Sequence, residues 1–96
     1  MESFVISWDE DKRNKVLSER GIDFEDLEVF FENPYLEEQK NDDPEQYRLV
    51  GRLYGGFVTF IVEYEEDDLG ELIWVVTAWN STREERENYE REIEGR

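Results

Sequence analysis

Apolar residues fall along this chain in runs whose spacing changes from one run to the next. Phe4-Val5-Ile6-Ser7-Trp8 has the β-branched and aromatic content of a short first strand. Asp9 follows as an N-cap, and Gly21 stands where left-handed backbone is tolerated, which brackets a helix over roughly residues 10 to 20. Its apolar patch is only Val16 and Leu17, joined by Trp8, so it belongs at the edge of a core with Lys12, Arg13 and Lys15 in water. A second helix opens at Asp23, with Ile22 and Leu27 placed to staple across the cap. Phe24, Leu27, Phe30 and Phe31 recur at helical spacing as its core face, and Asn33-Pro34 ends it because the residue before proline avoids the helical region.

Residues 35 to 45 show no apolar period and read as a long, mobile acidic loop. Two extended runs follow, Gln46 to Tyr54 and Phe57 to Tyr64, around Gly55-Gly56, a pair suited to a two-residue hairpin turn. A turn at those glycines sets Tyr54 opposite Phe57, Arg52 opposite Thr59, Val50 opposite Ile61 and Arg48 opposite Glu63. One face of this hairpin (Tyr47, Leu49, Leu53, Val58, Phe60, Val62, Tyr64) is nearly all apolar and is expected to meet the helices. The other carries Arg48, Val50, Arg52, Thr59 and Ile61, mixing apolar bodies with two guanidinium groups. After an acidic turn at Glu65 to Gly70, Leu72 to Ala78 reads as a last strand, apolar on both faces and so central or covered on both sides. Strict alternation sorts it into Leu72, Trp74, Val76, Ala78 and Ile73, Val75, Thr77, Trp79. Thr82-x-x-Glu85 is a capping box opening a terminal helix to about Ile93, polar all round except for Tyr89 and Ile93, and therefore loosely docked or partner-bound.

The pattern predicts an α+β domain over residues 1-96: a short N-terminal strand, two helices, a three-stranded antiparallel meander and a C-terminal helix. Ninety-six residues suffice for one core and not two, and fourteen aromatics argue against disorder despite 40% charged residues. No cysteine and no histidine occur, so disulfides, thiolate zinc sites and imidazole acid–base chemistry are excluded, and neither metal nor cofactor is expected. Glu65-Glu66-Asp67-Asp68 lacks the spaced ligands and turn glycine of a calcium loop and reads as solvated acid. Met1-Glu2-Ser3 opens neither a basic nor an apolar leader, and no run reaches the length of a membrane span, so a cytoplasmic location is expected. The net charge of −16 repels nucleic acid at long range. It is open to three readings: a solvating surface, an acidic face for a basic partner, or a mimic of nucleic acid.

Three segments, in order and at matching spacing, resemble BrnT-type toxins, the RelE-like ribonuclease members of type II toxin–antitoxin pairs. They are Trp8-Asp9-x-x-Lys12; Gly21-Ile22-Asp23-Phe24 running to Asn33-Pro34; and Val76-Thr77-Ala78-Trp79-Asn80 leading to Glu85-Arg86-x-x-Tyr89. Gly51-Arg52 matches the basic end of the intervening strand. The chain departs from the family at Val16 (asparagine), at Arg20 (histidine) and above all at Trp79, where the family carries a strand-end arginine. The resemblance implies a RelE-like fold, metal-independent RNA cleavage and a ribbon-helix-helix antitoxin (BrnA-like) as partner, with no direct contact to DNA.

Such cleavage proceeds by attack of a 2′-hydroxyl on the adjacent phosphate, and needs a base, an acid for the leaving oxygen and cations for the developing charge. Carried onto this chain, the resemblance names Arg52, Lys12, Arg86 and Tyr89 as catalytic candidates, and Arg48, Arg83 and Trp79 as RNA-binding ones. Each has a plainer reading: Arg48 as a cross-strand partner of Glu63, Arg83 and Arg86 as part of a salt-bridged solvated face, Tyr89 as the anchor of a polar helix, and Trp79 with Trp74 as core or interface. No acid faces Arg52 across the hairpin. Loss of the strand-end guanidinium implies weakened or lost activity, and the alternative is a non-catalytic acidic module that binds a basic partner.

Overall fold

A computed structural model describes residues 4–67 and 70–95. In chain order it contains β1 (Phe4–Trp8), α1 (Glu10–Arg20), a 3₁₀ turn (Phe24–Asp26) running into α2 (Leu27–Phe30), β2 (Tyr35–Asp42), β3 (Glu45–Leu53), β4 (Gly56–Asp67), β5 (Gly70–Asn80) and α3 (Arg83–Ile93). The strands form one sheet in the order β1-β5-β4-β3-β2, with β1 parallel to β5 and the other pairs antiparallel. This is the expected α+β class. The helix ends follow local chemistry: the Asp9 carboxylate accepts from the amides of Asp11 and Lys12, and Gly21 closes α1 with φ of 71°.

Several local expectations are corrected. Residues 35 to 45 are not a loop, because Tyr35–Asp42 pairs with β3 as the edge strand β2. Beyond Leu36 both of its faces are exposed, so no alternation marks it, and its charged side chains protect an open edge. The hairpin turn is Tyr54-Gly55, with φ of 50° and 85°, the positive pair that a type I′ turn requires. Pairing therefore shifts by two: Arg52 faces Phe57, Val50 faces Thr59 and Arg48 faces Ile61. An even shift leaves each residue on its predicted face.

Along β5 strict alternation fails at Val76, an extra residue opposite the Ile61/Val62 step of β4. Ile73, Val75 and Ala78 consequently share the core face, while Thr77 and Trp79, beside Ile61 and Thr59, lie on the other. The expected turn at Glu65 to Gly70 is narrower than predicted, since β4 runs to Asp67 and β5 starts at Gly70. Residues 68 and 69, and the first three residues, lie outside the described ones.

Val16, Phe24, Leu27 and Phe30 from the helical layer pack on Leu49, Phe60, Val62 and Val75, all at most 2% exposed. The Phe30 ring sits edge-on to Phe60, with centroids 5.1 Å apart. Gly51 makes this possible, because a Cβ there would stand 2.9 Å from Phe30 Cε2. Arg13, expected in water, instead clasps Asp23 (Nε–Oδ1 2.7 Å, Nη2–Oδ2 3.0 Å), tying α1 to the start of the 3₁₀ turn. The second helix keeps its capping Asp23 and its buried face but is shorter than predicted. On the opposite face of the sheet α3 lies over β2 and β3. It is not loosely docked: Tyr89 is 2% exposed. Among the described residues no helix is long and apolar enough to cross a membrane.

Candidate functional site

The pleat of β3 places Arg48, Val50 and Arg52 on the face away from α1 and α2, and register adds Phe57, Thr59 and Ile61 from β4 and Trp79 from β5. With α3 laid over this surface, five of the seven candidate residues meet: Arg48, Arg52 and Trp79 from the strands, Arg86 and Tyr89 from the helix. Arg83 stands exposed in the first turn of α3, paired with Glu87 at 3.0 Å. Lys12 sits in the first turn of α1, which packs along β5 rather than under α3.

At the centre is Glu85, which the sequence marks only as half of a capping box. Its Oε1 accepts from the Thr82 amide (2.9 Å), the Thr59 hydroxyl (2.9 Å) and Trp79 Nε1 (3.0 Å), and Oε2 lies 3.6 Å from Arg48 Nε. Thr59 has one hydroxyl hydrogen and gives it to Glu85, so Ser81 Oγ, 2.8 Å away, must donate to Thr59. Burial pushes the Glu85 carboxyl up, but the donors of Thr82, Trp79 and Thr59 and the Arg48 charge outweigh it and hold the group below its ordinary value. A fixed anion therefore occupies the middle of the arginine-bearing face. The Arg48 contact is too long for a hydrogen bond, and its buried Nε has no partner among the described residues. Glu63, the acid expected for Arg48, accepts from Gln46 instead (2.8 Å).

The second anion is Glu94, just past the end of α3. It takes Arg52 in a two-point grip, Nε–Oε2 2.8 Å and Nη2–Oε1 2.9 Å, which raises the arginine's pKa. No acid faces Arg52 across the hairpin, as expected, yet one reaches it from the helix. The guanidiniums of Arg52 and Arg86 lie 4.5 and 4.7 Å from the Phe57 ring centroid, and Tyr89 meets the same ring edge-on at 5.4 Å. The Tyr89 hydroxyl donates to the Pro34 carbonyl at 3.4 Å. At the end of β5, next to Trp79, Arg20 donates to the Ala78 carbonyl (2.7 Å) and reaches Thr77 Oγ1 (3.4 Å). A guanidinium thus stands near the strand end, supplied by α1. Among the described residues no group of three acidic side chains converges as a metal centre would require.

Searches of family models and of curated proteins find no match to this chain. Among solved structures it is similar to the Brucella abortus ribonuclease toxin BrnT, with a TM-score of 0.61 over 83% of this chain and 97% of that one. The fold is BrnT-like. Sequence identity is 20%, so the likeness speaks for the arrangement of elements and not for the chemistry at the site. Two features of the α3 face left no signal in the sequence, namely the grips of Glu85 on Thr59 and Trp79 and of Glu94 on Arg52, and the stack on Phe57. Both join residues far apart in the chain through polar contacts that follow no period.

Proposed function

We propose that this chain is a BrnT-like toxin of a type II pair, a metal-independent ribonuclease whose activity is weakened or lost. The observation that carries the reading is the BrnT-like fold together with a strand end at which the resemblance calls for arginine and Trp79 stands, its indole N–H spent on Glu85. A phosphate approaching this surface would meet Arg48 and Arg52 as clamps, Arg86 as a further cation and Arg20 beyond Trp79. Arg48 and Arg52 already face the carboxylates of Glu85 and Glu94, so RNA must compete with two intramolecular anions. One missing guanidinium costs roughly two to three decades in rate at a site of this type. Tyr89 would act as the acid only after leaving Pro34, and Lys12 and Arg83 would serve at the margin of the bound RNA. The partner on this reading is a basic ribbon-helix-helix antitoxin, and the compartment is the cytoplasm.

The test compares cleavage of a labelled RNA by the purified chain and by Trp79→Arg, over a range of salt. Slow cutting by the natural chain, or none, with at least about a tenfold gain in the variant, supports the reading. Failure of both proteins to cut at any salt removes the enzyme. The second reading, a non-catalytic acidic module for a basic partner, is favoured by the −16 charge and the neutralised arginines. Capture of a basic partner by a chain that cuts no RNA either as it stands or as Trp79→Arg would support that reading instead.

A further inference from the structure

On the face that carries α1 and α2 the helical cover stops short of one end of the sheet. There Phe4, Phe31, Tyr35, Tyr47 and Tyr64 wall an open groove of about 510 Å³ with Ile73 in its floor. The rings meet in two groups: centroids are 5.9 Å apart for Phe4–Phe31 and 5.3 Å for Phe31–Tyr35 on one wall, and 5.1 Å for Tyr47–Tyr64 on the other. Phe4 is 47% exposed, high for a phenylalanine in a strand. Three carboxylates, Glu37, Glu45 and Glu71, line the same groove, and among the described residues no lysine or arginine does. Among the described residues none of the three is in an ion pair, whereas on the α3 face Arg48 and Arg52 both lie against glutamates. The Tyr47 hydroxyl donates to Glu45, which fixes that carboxylate beside the ring wall, and burial together with the nearby Glu37 charge pushes the Tyr64 hydroxyl up.

Ring faces flanked by ionised carboxylates are what a guanidinium or ammonium group requires: a quadrupole to stack on and acceptors for its N–H donors. Other occupants fit badly. An anion is repelled, a neutral apolar group would strip water from three charges with nothing in return, and a second copy of a chain with net charge −16 carries the wrong sign. We propose that this groove receives an arginine or lysine side chain from an extended basic segment of a partner protein. The site lies across the sheet from α3 and does not depend on the nuclease reading.

The probe is the peptide acetyl-Gly-Arg-Gly-Arg-Gly-amide, titrated into the full chain at physiological salt and followed by amide chemical shifts. Its counterpart with citrulline in place of arginine serves as the uncharged control. Shifts centred on Tyr35, Tyr47, Tyr64 and Ile73 are expected with the arginine peptide only. The combined variant Glu37→Gln, Glu45→Gln, Glu71→Gln should weaken binding by about tenfold, and Phe4→Ala by several-fold, all four being exposed positions where folding is retained. Glu19→Gln, Glu28→Gln, Glu84→Gln removes as much charge from exposed positions elsewhere and should change affinity by less than about twofold. Equal losses in the two triple variants would mean diffuse attraction to an acidic protein and would overturn the proposal, as would shifts centred outside the groove.

Discussion

The two faces of the sheet are held by different forces. Under α1 and α2 the contact is hydrocarbon on hydrocarbon: Leu27, Phe30, Leu49, Phe60, Val62 and Val75 are fully buried. Under α3 the strands offer Val50, Thr59 and Ile61, also fully buried, but the helix answers with only two buried side chains, Tyr89 and Glu85. Area removed from water stabilises the first face and changes little with pH or salt. A buried carboxylate with its donors, one aromatic anchor and the Arg52–Glu94 grip hold the second, and these depend on both. The sheet is thus a platform with one side sealed where α1 and α2 cover it and one side whose cover is graded by solution conditions. The arginine-bearing surface lies on the second side.

The contrast is broken most directly by truncating the apolar layer. Phe30→Ala should cost about 3–5 kcal/mol in denaturant unfolding, more than any single polar substitution on the α3 face. Gly51→Ala tests the same layer from the strand side, since its new methyl would meet the Phe30 ring, and about 1–3 kcal/mol is expected. If Phe30→Ala cost less than removing the Glu85 charge, the apolar face would not be the stronger one.

Glu85→Gln comes next, at about 1–3 kcal/mol, because a neutral amide oxygen holds the three donors of Oε1 more weakly and an NH2 group replaces the oxygen that faces Arg48. The pH dependence has a definite sign. The folded carboxyl titrates below its unfolded value, so its contribution is complete above the ordinary glutamate range and is lost as pH falls through the depressed folded value. Protection of the α3 amides, relative to their intrinsic exchange rates, should therefore fall on acidification in the natural chain before that of β3 and β4, and Glu85→Gln should remove much of that pH response. Uniform protection of α3 and the central strands across the acid range would contradict the division between the faces.

What could be read from the residues alone follows the same division. Asp9 with Gly21, and Thr82 with Glu85, are local chemistry, and their helix ends fall where predicted. The faces of the hairpin were legible from alternation, and so was the placement of Arg48 and Arg52 on one surface, whereas Trp79 joins them only through the extra residue in β5. Register was not, because Tyr54 at φ 50° has no signature that competes with a Gly-Gly pair. The bulge at Val76 hid behind a strand apolar on both faces, where a slip of parity changes no visible pattern. β2 is an edge strand whose backbone pairs while its side chains stay in water, so its composition reads as loop. The docking of α3 depends on polar partners distant in the chain, Thr59 and Trp79 for Glu85 and Arg52 for Glu94, and polar pairs carry no period from which to find them.

The smallest effect is the one closest to function. The Arg52 side chain is 43% exposed where Glu94 grips it, so water competes for both groups. Arg52→Lys keeps the charge and loses the fork, and should shift the unfolding midpoint less than Glu85→Gln does. On the order of 1 M salt, where charges are screened within ~3 Å, the remaining difference from the natural chain should vanish. On the proposed reading the same substitution should weaken RNA cleavage or binding, because lysine meets a phosphate as a point charge without the fork that Glu94 now holds. A large, salt-independent loss of stability would instead make Arg52 a structural clamp, and the second face would then be sealed as firmly as the first.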